Sequence, residues 1–371
     1  MKNQAILPRK DLIPKKENKR NEIILLLSAL VAINAFVFGS FYFSIYQNKQ
    51  NNKTDLGLKK ELDTETAVAS IPFGEITIPY LRSRTYQSVL GKLNQATETS
   101  AYTGYLTSYN SDGLKVNGYL TIPKGEKPKN GWPAIVFVHG YIPPQSYRTL
   151  ENYSEYVDYL AGKGGFVVFK IDLRGNADSQ GEPGGGYYSS DYIIDTLNAR
   201  AALQKSDFVN PKAVGLWGHS MAGNVVARAL AAQPEIPAIV IWAGAVYTYS
   251  DFAEFGISDN SYNPPITQSP SRKKRNEMFA KYGQFNSGSS FWKLVPMTNY
   301  LSDIKGAIQL NHAVDDPVVD IRYSRNLNKI LDGTKIIHKL NEYPSGGHNI
   351  SGENFNTAMQ NTVDFFKKYL K

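Results

Sequence analysis

The sequence contains no cysteine, which excludes a disulfide scaffold, a thiolate metal site, a cysteine nucleophile and a thiol redox switch. Histidine is scarce too. The five present are His139, His219, His312, His338 and His348, and no two stand at metal-ligand spacing, so neither a metal nor another cofactor is expected. The body of the chain also lacks net charge. Residues 1–22 carry seven basic residues against three acidic ones and Arg272 to Arg275 add four more, whereas the rest of the chain balances 30 basic against 30 acidic residues. The formal charge of +8 is therefore local, and a nucleic-acid-binding face is not expected. With 42% apolar and 20% charged residues the composition is globular and excludes a mainly disordered chain. At 371 residues it predicts one large domain with a smaller appendage, or two domains.

What is present begins with an uncharged run of 24 residues, Ile23 to Tyr46, "IILLLSALVAINAFVFGSFYFSIY". At about 1.5 Å per residue a helix of this length spans a hydrocarbon core roughly 30 Å thick. A signal peptide normally has only about 7 to 15 apolar residues and a small-residue cleavage site, which this run lacks, so a retained membrane anchor is expected. The preceding basic tail, residues 1–22, places the N-terminus in the cytoplasm and everything after Tyr46 outside it. Residues 47–70 are polar and aperiodic and read as a tether, leaving residues 71–371 for a single folded domain.

No internal repeat or low-complexity tract is evident. "YTGYLTSYNSDGLKVNGYLTIP", from Tyr102, reads as two strands joined at Ser111-Asp112-Gly113. Short apolar runs follow at Ala134 to Val138, Phe166 to Ile171, Ala213 to Trp217, Ala238 to Trp242 and Ala307 to Leu310, separated by segments of helical character. Strands of that kind are covered on both faces, so the pattern predicts an α/β fold with a mostly parallel sheet flanked by helices. A final helix is predicted from Phe355, Met359, Val363, Phe366 and Leu370, which share one face. Residues 249–300, with Pro264, Pro265, Pro270 and the basic cluster, interrupt the alternation and read as a partly helical, cap-like insertion. For the basic cluster itself a solvated helix face is expected, with contact to anionic polymer or lipid headgroups the alternative.

Residues 213–232, "AVGLWGHSMAGNVVARALAA", run strand, sharp turn and Ala-rich helix, with Ser220 at the turn. A nucleophile elbow needs this context, because the turn lifts the serine Oγ above the sheet edge and the helix N-terminus favours negative charge. Small residues must flank the serine. Gly218 precedes it by two positions, and Ala222 then Gly223 follow where a single glycine is usual. In such a fold the acid and the base come later in the chain, in that order. "AIQLNHAVDDPVV" supplies Asp315 and Asp316 just past a strand, and "NEYPSGGHNI" supplies His348 before the last helix. Ser220 would attack a carbonyl carbon, His348 would relay its proton, and the aspartate would orient and stabilise the imidazole. Taken singly, the three also suit a helix cap, a turn and a glycine-rich loop.

An oxyanion hole needs two backbone N–H groups. Met221, directly after the nucleophile, is one candidate, and Tyr141 in "VFVHGYIPP" is the other, with a role for its hydroxyl or as mere pocket lining as alternatives. Trp217, Trp242 and Tyr247 are candidate pocket walls because strand ends frame such sites, although core packing suits Trp217 equally. His219 diverges from the serine on the turn and is a poor base. His139 and His312 are expected to fix backbone, and His338 to lie at the surface.

The motifs "SDGLKVNGYLTIP", "VFVHGY", "KIDLRGNADSQG", "GLWGHSMAG", "HAVDDPVV" and "GGHNI", across about residues 105–350, resemble the α/β-hydrolase superfamily. Within it they are most similar to the catalytic domain of prolyl oligopeptidase-type serine peptidases and related acyl hydrolases. The resemblance implies that the acid lies four residues after the histidine of "HAVDD", which favours Asp316 over Asp315. Oligopeptidases of this kind usually carry a large β-propeller, for which the residues preceding the core leave no room. The expectation is therefore a membrane-anchored serine hydrolase that cleaves peptide or carboxylic ester bonds through an acyl-enzyme. A carboxylesterase or acyltransferase of the same fold, and a non-catalytic binding module, are the alternatives.

Overall fold

The computed structural model describes residues 71–258 and 270–371, all within one unit, Thr64–Lys371. The expected anchor at 23–46, its basic tail and the tether to residue 70 lie outside the described residues. Among the described residues no helix is long and apolar enough to cross a membrane.

The apolar runs form the centre of one sheet. Its strands are β1 (Asn94–Glu98), β2 (Tyr102–Ser111), β3 (Leu114–Pro123), β4 (Trp132–Val138), β5 (Val167–Ile171), β6 (Val209–His219), β7 (Ala238–Trp242), β8 (Ala307–Ala313) and β9 (His338–Tyr343). They lie in the order β1-β2-β3-β5-β4-β6-β7-β8-β9. β1, β2, β3 and β5 pair antiparallel, and from β5 to β9 every pairing is parallel. β2 and β3 meet at Asp112 and Gly113, whose φ values of 53° and 82° give the two-residue turn with positive φ at both positions that suits strand twist.

Every residue of β5 and β7 is buried because both faces of the sheet are covered. Alternate residues feed two cores. Val136, Phe169, Leu216 and Ile241 join the first, and Ile135, Phe137, Trp217 and Trp242 the second. At about 1.5–3 kcal/mol for each fully buried large apolar side chain, these two layers are the main stabilising term.

The helices are α1 (Ile78–Ser83), α2 (Ser154–Asp158), α3 (Asp191–Gln204), α4 (Met221–Ala232), α5 (Ser250–Phe255), α6 (Pro270–Tyr282), α7 (Arg322–Asp332) and α8 (Phe355–Tyr369). α3 and α4 place Ile193, Leu197, Val225 and Leu230 in the first core, and α8 places Met359, Val363 and Phe366 in the second. In the 249–300 insertion Tyr249, Trp292 and Phe285 pack on one another, and Lys274 of the basic cluster pairs with Glu75 at 2.5 Å.

β1 has no counterpart in the sequence reading. Its residues, NQATE, are mostly exposed on a sheet edge, so no apolar alternation marks them.

Candidate active site

β6 ends at His219 and α4 begins at Met221, so Ser220 alone makes the turn. Its φ of 56° and ψ of −122° put a non-glycine residue in a conformation that costs of order 1–3 kcal/mol and persists only where its surroundings over-determine it. Packing explains the small neighbours. A Cβ at Gly218 would lie 2.5 Å from the Ala222 carbonyl oxygen, and one at Gly223 would lie 2.7 Å from Gly244 Cα. Position 223 thus closely approaches the β7–β8 connection, and position 222 carries a buried methyl group.

Ser220 and His348 line the same cavity, of about 770 Å³, at the C-terminal ends of the parallel strands. Asp316 lies beneath it, with its side chain fully buried. His348 Nδ1 and Asp316 Oδ2 are 2.9 Å apart. Since a carboxylate only accepts, Nδ1 carries the hydrogen and Nε2 keeps the lone pair a general base needs. The carboxylate is thoroughly engaged. His312 Nε2 lies 3.1 Å from the same oxygen, and the Val318 and Val319 N–H groups donate to Oδ1 at 2.8 and 3.0 Å. Burial pushes this carboxyl up, but hydrogen bonds from His312 and His348 outweigh it and hold it well below the usual carboxylate range.

Asp315 has a different position. Its exposed carboxylate accepts from the Gly347 N–H at 2.8 Å and the Gly346 N–H at 3.3 Å, which pins the loop carrying His348 without touching its ring. His312 reaches a backbone oxygen, that of Val319 at 2.9 Å, and adds its bond to Asp316. His139 contacts the Gly140 carbonyl oxygen at 2.7 Å, and His338 lies beside Asp332 at 3.0 Å, away from the cavity.

Of the two oxyanion candidates, Met221 opens α4, where the first-turn N–H groups have no partner within the helix. Tyr141 lines the cavity. The preceding N–H, that of Gly140, is engaged by Tyr153 Oη at 3.0 Å. A Cβ at Gly140 would meet that hydroxyl at 2.8 Å and Ser220 Cβ at 3.1 Å, so glycine is what lets the loop approach the nucleophile.

The three aromatic residues suggested as pocket walls do not line the cavity. Trp217 and Trp242 are fully buried in the second core, Trp217 stacked on Phe137 at 4.0 Å and Trp242 donating through Nε1 to Thr362 Oγ1 at 3.1 Å. Tyr247 is buried in the first core, with its hydroxyl against Gly244 and Gly223. The cause is the β4–β5 connection. It lays Tyr156 over the two indoles, at ring distances of 5.6 and 5.4 Å, and Tyr156 forms the wall in their place. Asn152, Tyr153 and Glu155 from the same connection and Phe355 from α8 also line the cavity and were not anticipated. Their signal is faint: in "ENYSEYVDYL" the tyrosines stand three apart and read as ordinary helix packing. From the described part of 249–300, only Ser258 lines the cavity. Among the described residues no group of three or more carboxylate or imidazole side chains could hold a metal ion.

Residues 132–259 match the model of the family Serine aminopeptidase, S33. The thiohydrolase AneE of Aspergillus aculeatus is 32% identical over 112 residues, 30% of this chain and 32% of its own length. The uncharacterized peptidase YuxL of Bacillus subtilis is 24% identical over 245 residues, 65% of this chain and 34% of its own. The chain thus spans about a third of the length of these curated relatives. Acetyl xylan esterase 1 from Thermoanaerobacterium sp. superposes with a TM-score of 0.55 at 17% identity, covering 85% of this chain and 98% of that one. The sheet order, the turn at Ser220 and the superposition agree on the α/β-hydrolase fold, and the His348–Asp316 pair and the family match over residues 132–259 place this chain's candidate site among those of serine hydrolases by similarity.

Proposed function

We propose that the protein is a membrane-anchored hydrolase, with its catalytic domain outside the cytoplasm, that cleaves peptide or carboxylic ester bonds through an acyl-enzyme on Ser220. One observation carries the reading. The strained Ser220 opens into the same cavity as His348, whose Nδ1–H is held by the buried carboxylate of Asp316. His348 Nε2 takes the Ser220 proton as Oγ attacks the acyl carbon and returns a proton to the departing amine or alcohol. Water then resolves the ester intermediate by the same route. Negative charge on the tetrahedral oxygen is met by the N–H of Met221 at the α4 N-terminus and that of Tyr141 in the loop after β4, and one such donor is worth roughly 3 kcal/mol.

The family's description and the Bacillus relative's name favour a peptide, in the manner of a prolyl oligopeptidase-type catalytic domain. Anchoring rests on the uncharged run Ile23 to Tyr46 and the basic residues before it. The test is hydrolysis by the purified full chain of proline-containing peptide amides, other peptide amides and short acyl esters, with Ser220→Ala as the blank. Turnover of at least one class, lost in that variant, is expected. Turnover of none, or turnover undiminished in the variant, would overturn the proposal.

A further inference from the structure

The residue before the nucleophile makes two hydrogen bonds that the reaction scheme does not use. His219 Nε2 lies 2.8 Å from the backbone oxygen of His348, and His219 Nδ1 lies 2.7 Å from Tyr153 Oη. The first contact fixes the tautomer. A carbonyl oxygen only accepts, so Nε2 carries the hydrogen. In the neutral ring Nδ1 is then an acceptor and Tyr153 donates to it. The Tyr153 oxygen in turn accepts from the Gly140 N–H at 3.0 Å. A directed chain of three hydrogen bonds therefore runs from Gly140 through Tyr153 and His219 to the backbone of His348.

The geometry points to His219 and Tyr153 as positioning residues that tie the loop bearing the oxyanion donor to the loop bearing the general base. Its two ends are the backbone groups that set catalytic geometry. Gly140 directly precedes Tyr141, and the His348 carbonyl belongs to the base itself. The inference rests on the triad proposed above and adds what holds its two loops in register.

Three further observations support it. Tyr153 adopts a left-handed conformation, φ 62° and ψ 18°, which a tyrosine holds only under constraint. Its ring is fixed among Phe137, Tyr156 and Trp217, at 5.5, 5.4 and 6.2 Å, so the hydroxyl is aimed rather than free. His219 is buried, and its ring centre lies 4.6 Å from that of His348. Burial, reinforced by that neighbour, pushes the His219 imidazole down to about 3. It stays neutral while His348 gains and loses its proton, with Asp316 and His312 the other titratable groups acting on it. A protonated His219 would lose its acceptor for Tyr153 and set a second cation beside the imidazolium of His348.

The test uses the full-length chain with its histidines labelled with ¹⁵N, alone and with Tyr153→Phe, which removes only the hydroxyl. Imidazole shifts are expected to show His219 with hydrogen on Nε2 and not on Nδ1, unprotonated from pH 8 down to about pH 5. Tyr153→Phe is expected to move the resonances of both His219 and His348. On a substrate that is turned over, it should lower kcat roughly tenfold to a hundredfold and leave KM within about twofold, because a positioning bond is lost while the ring that lines the cavity stays in place. His219→Gln keeps a donor toward the His348 carbonyl but offers Tyr153 no lone pair in the same place, and should fall between the wild type and His219→Ala. Hydrogen on Nδ1, titration near neutrality, an unmoved His348 resonance, or wild-type kcat in Tyr153→Phe would each overturn the inference. Absence of turnover in the wild type would sink the proposed function instead, and the tautomer and shift measurements would still decide this one.

Discussion

Replacing Asp316 by Asn tests the electrostatic arrangement with almost no change of shape. The two carboxylate oxygens face four donors: His348 and His312 at Oδ2, Val318 and Val319 at Oδ1. An amide has one oxygen to offer. With that oxygen toward the two backbone N–H groups, its NH₂ faces the imidazoles and donates to His348 Nδ1. The hydrogen of His348 then moves to Nε2, the atom that must accept the Ser220 proton. With the amide flipped, NH₂ confronts the two backbone N–H groups, which is the worse arrangement. A base in the wrong tautomer costs about 10⁴ in kcat in a serine hydrolase triad, or roughly 5.5 kcal/mol of barrier at about 1.4 kcal/mol per decade. We expect that loss in steady-state kcat, with KM nearly unchanged. Asp315→Asn is the matched control. It keeps an acceptor for the Gly346 and Gly347 N–H groups and does not touch the His348 ring, so kcat should stay within about fivefold. A kcat for Asp316→Asn within tenfold of the wild type, or a larger loss at Asp315, would refute this reasoning.

Trp217→Ala should act on the core and not on the pocket, lowering stability by about 3–5 kcal/mol in denaturant titration and leaving KM within twofold; a raised KM at unchanged stability would make it a pocket wall after all. The proposed anchor predicts that the full chain sediments with membranes, resists an alkaline wash and is released by detergent, whereas a chain begun at residue 47 stays in the supernatant. Sedimentation of both alike would remove the anchor at Ile23 to Tyr46 from the account.

The centre of the sheet is legible in the sequence because strands covered on both faces must be apolar throughout, and the run Ala238 to Trp242 coincides with β7 end to end. The Asp112-Gly113 turn and the face of α8 follow from equally local rules. β1 does not, since an exposed edge strand leaves no pattern. The choice between Asp315 and Asp316 turns on which carboxylate points inward, and adjacent residues in a loop do not announce that. The aromatic wall depends on where the β4–β5 connection falls after folding, so Trp217 and Trp242, at the right strand ends, lie one layer too deep beneath Tyr156. The bonds of His219 to Tyr153 and His348 join segments far apart in the chain and have no signature in either.

The most direct test of the central claim is to treat the purified full chain with a fluorophosphonate and locate the adduct by peptide mass mapping. The account predicts one covalent phosphonyl group, on Ser220, abolished in Ser220→Ala and strongly slowed in His348→Ala. No adduct, an adduct on another residue, or labelling that persists in Ser220→Ala would contradict it.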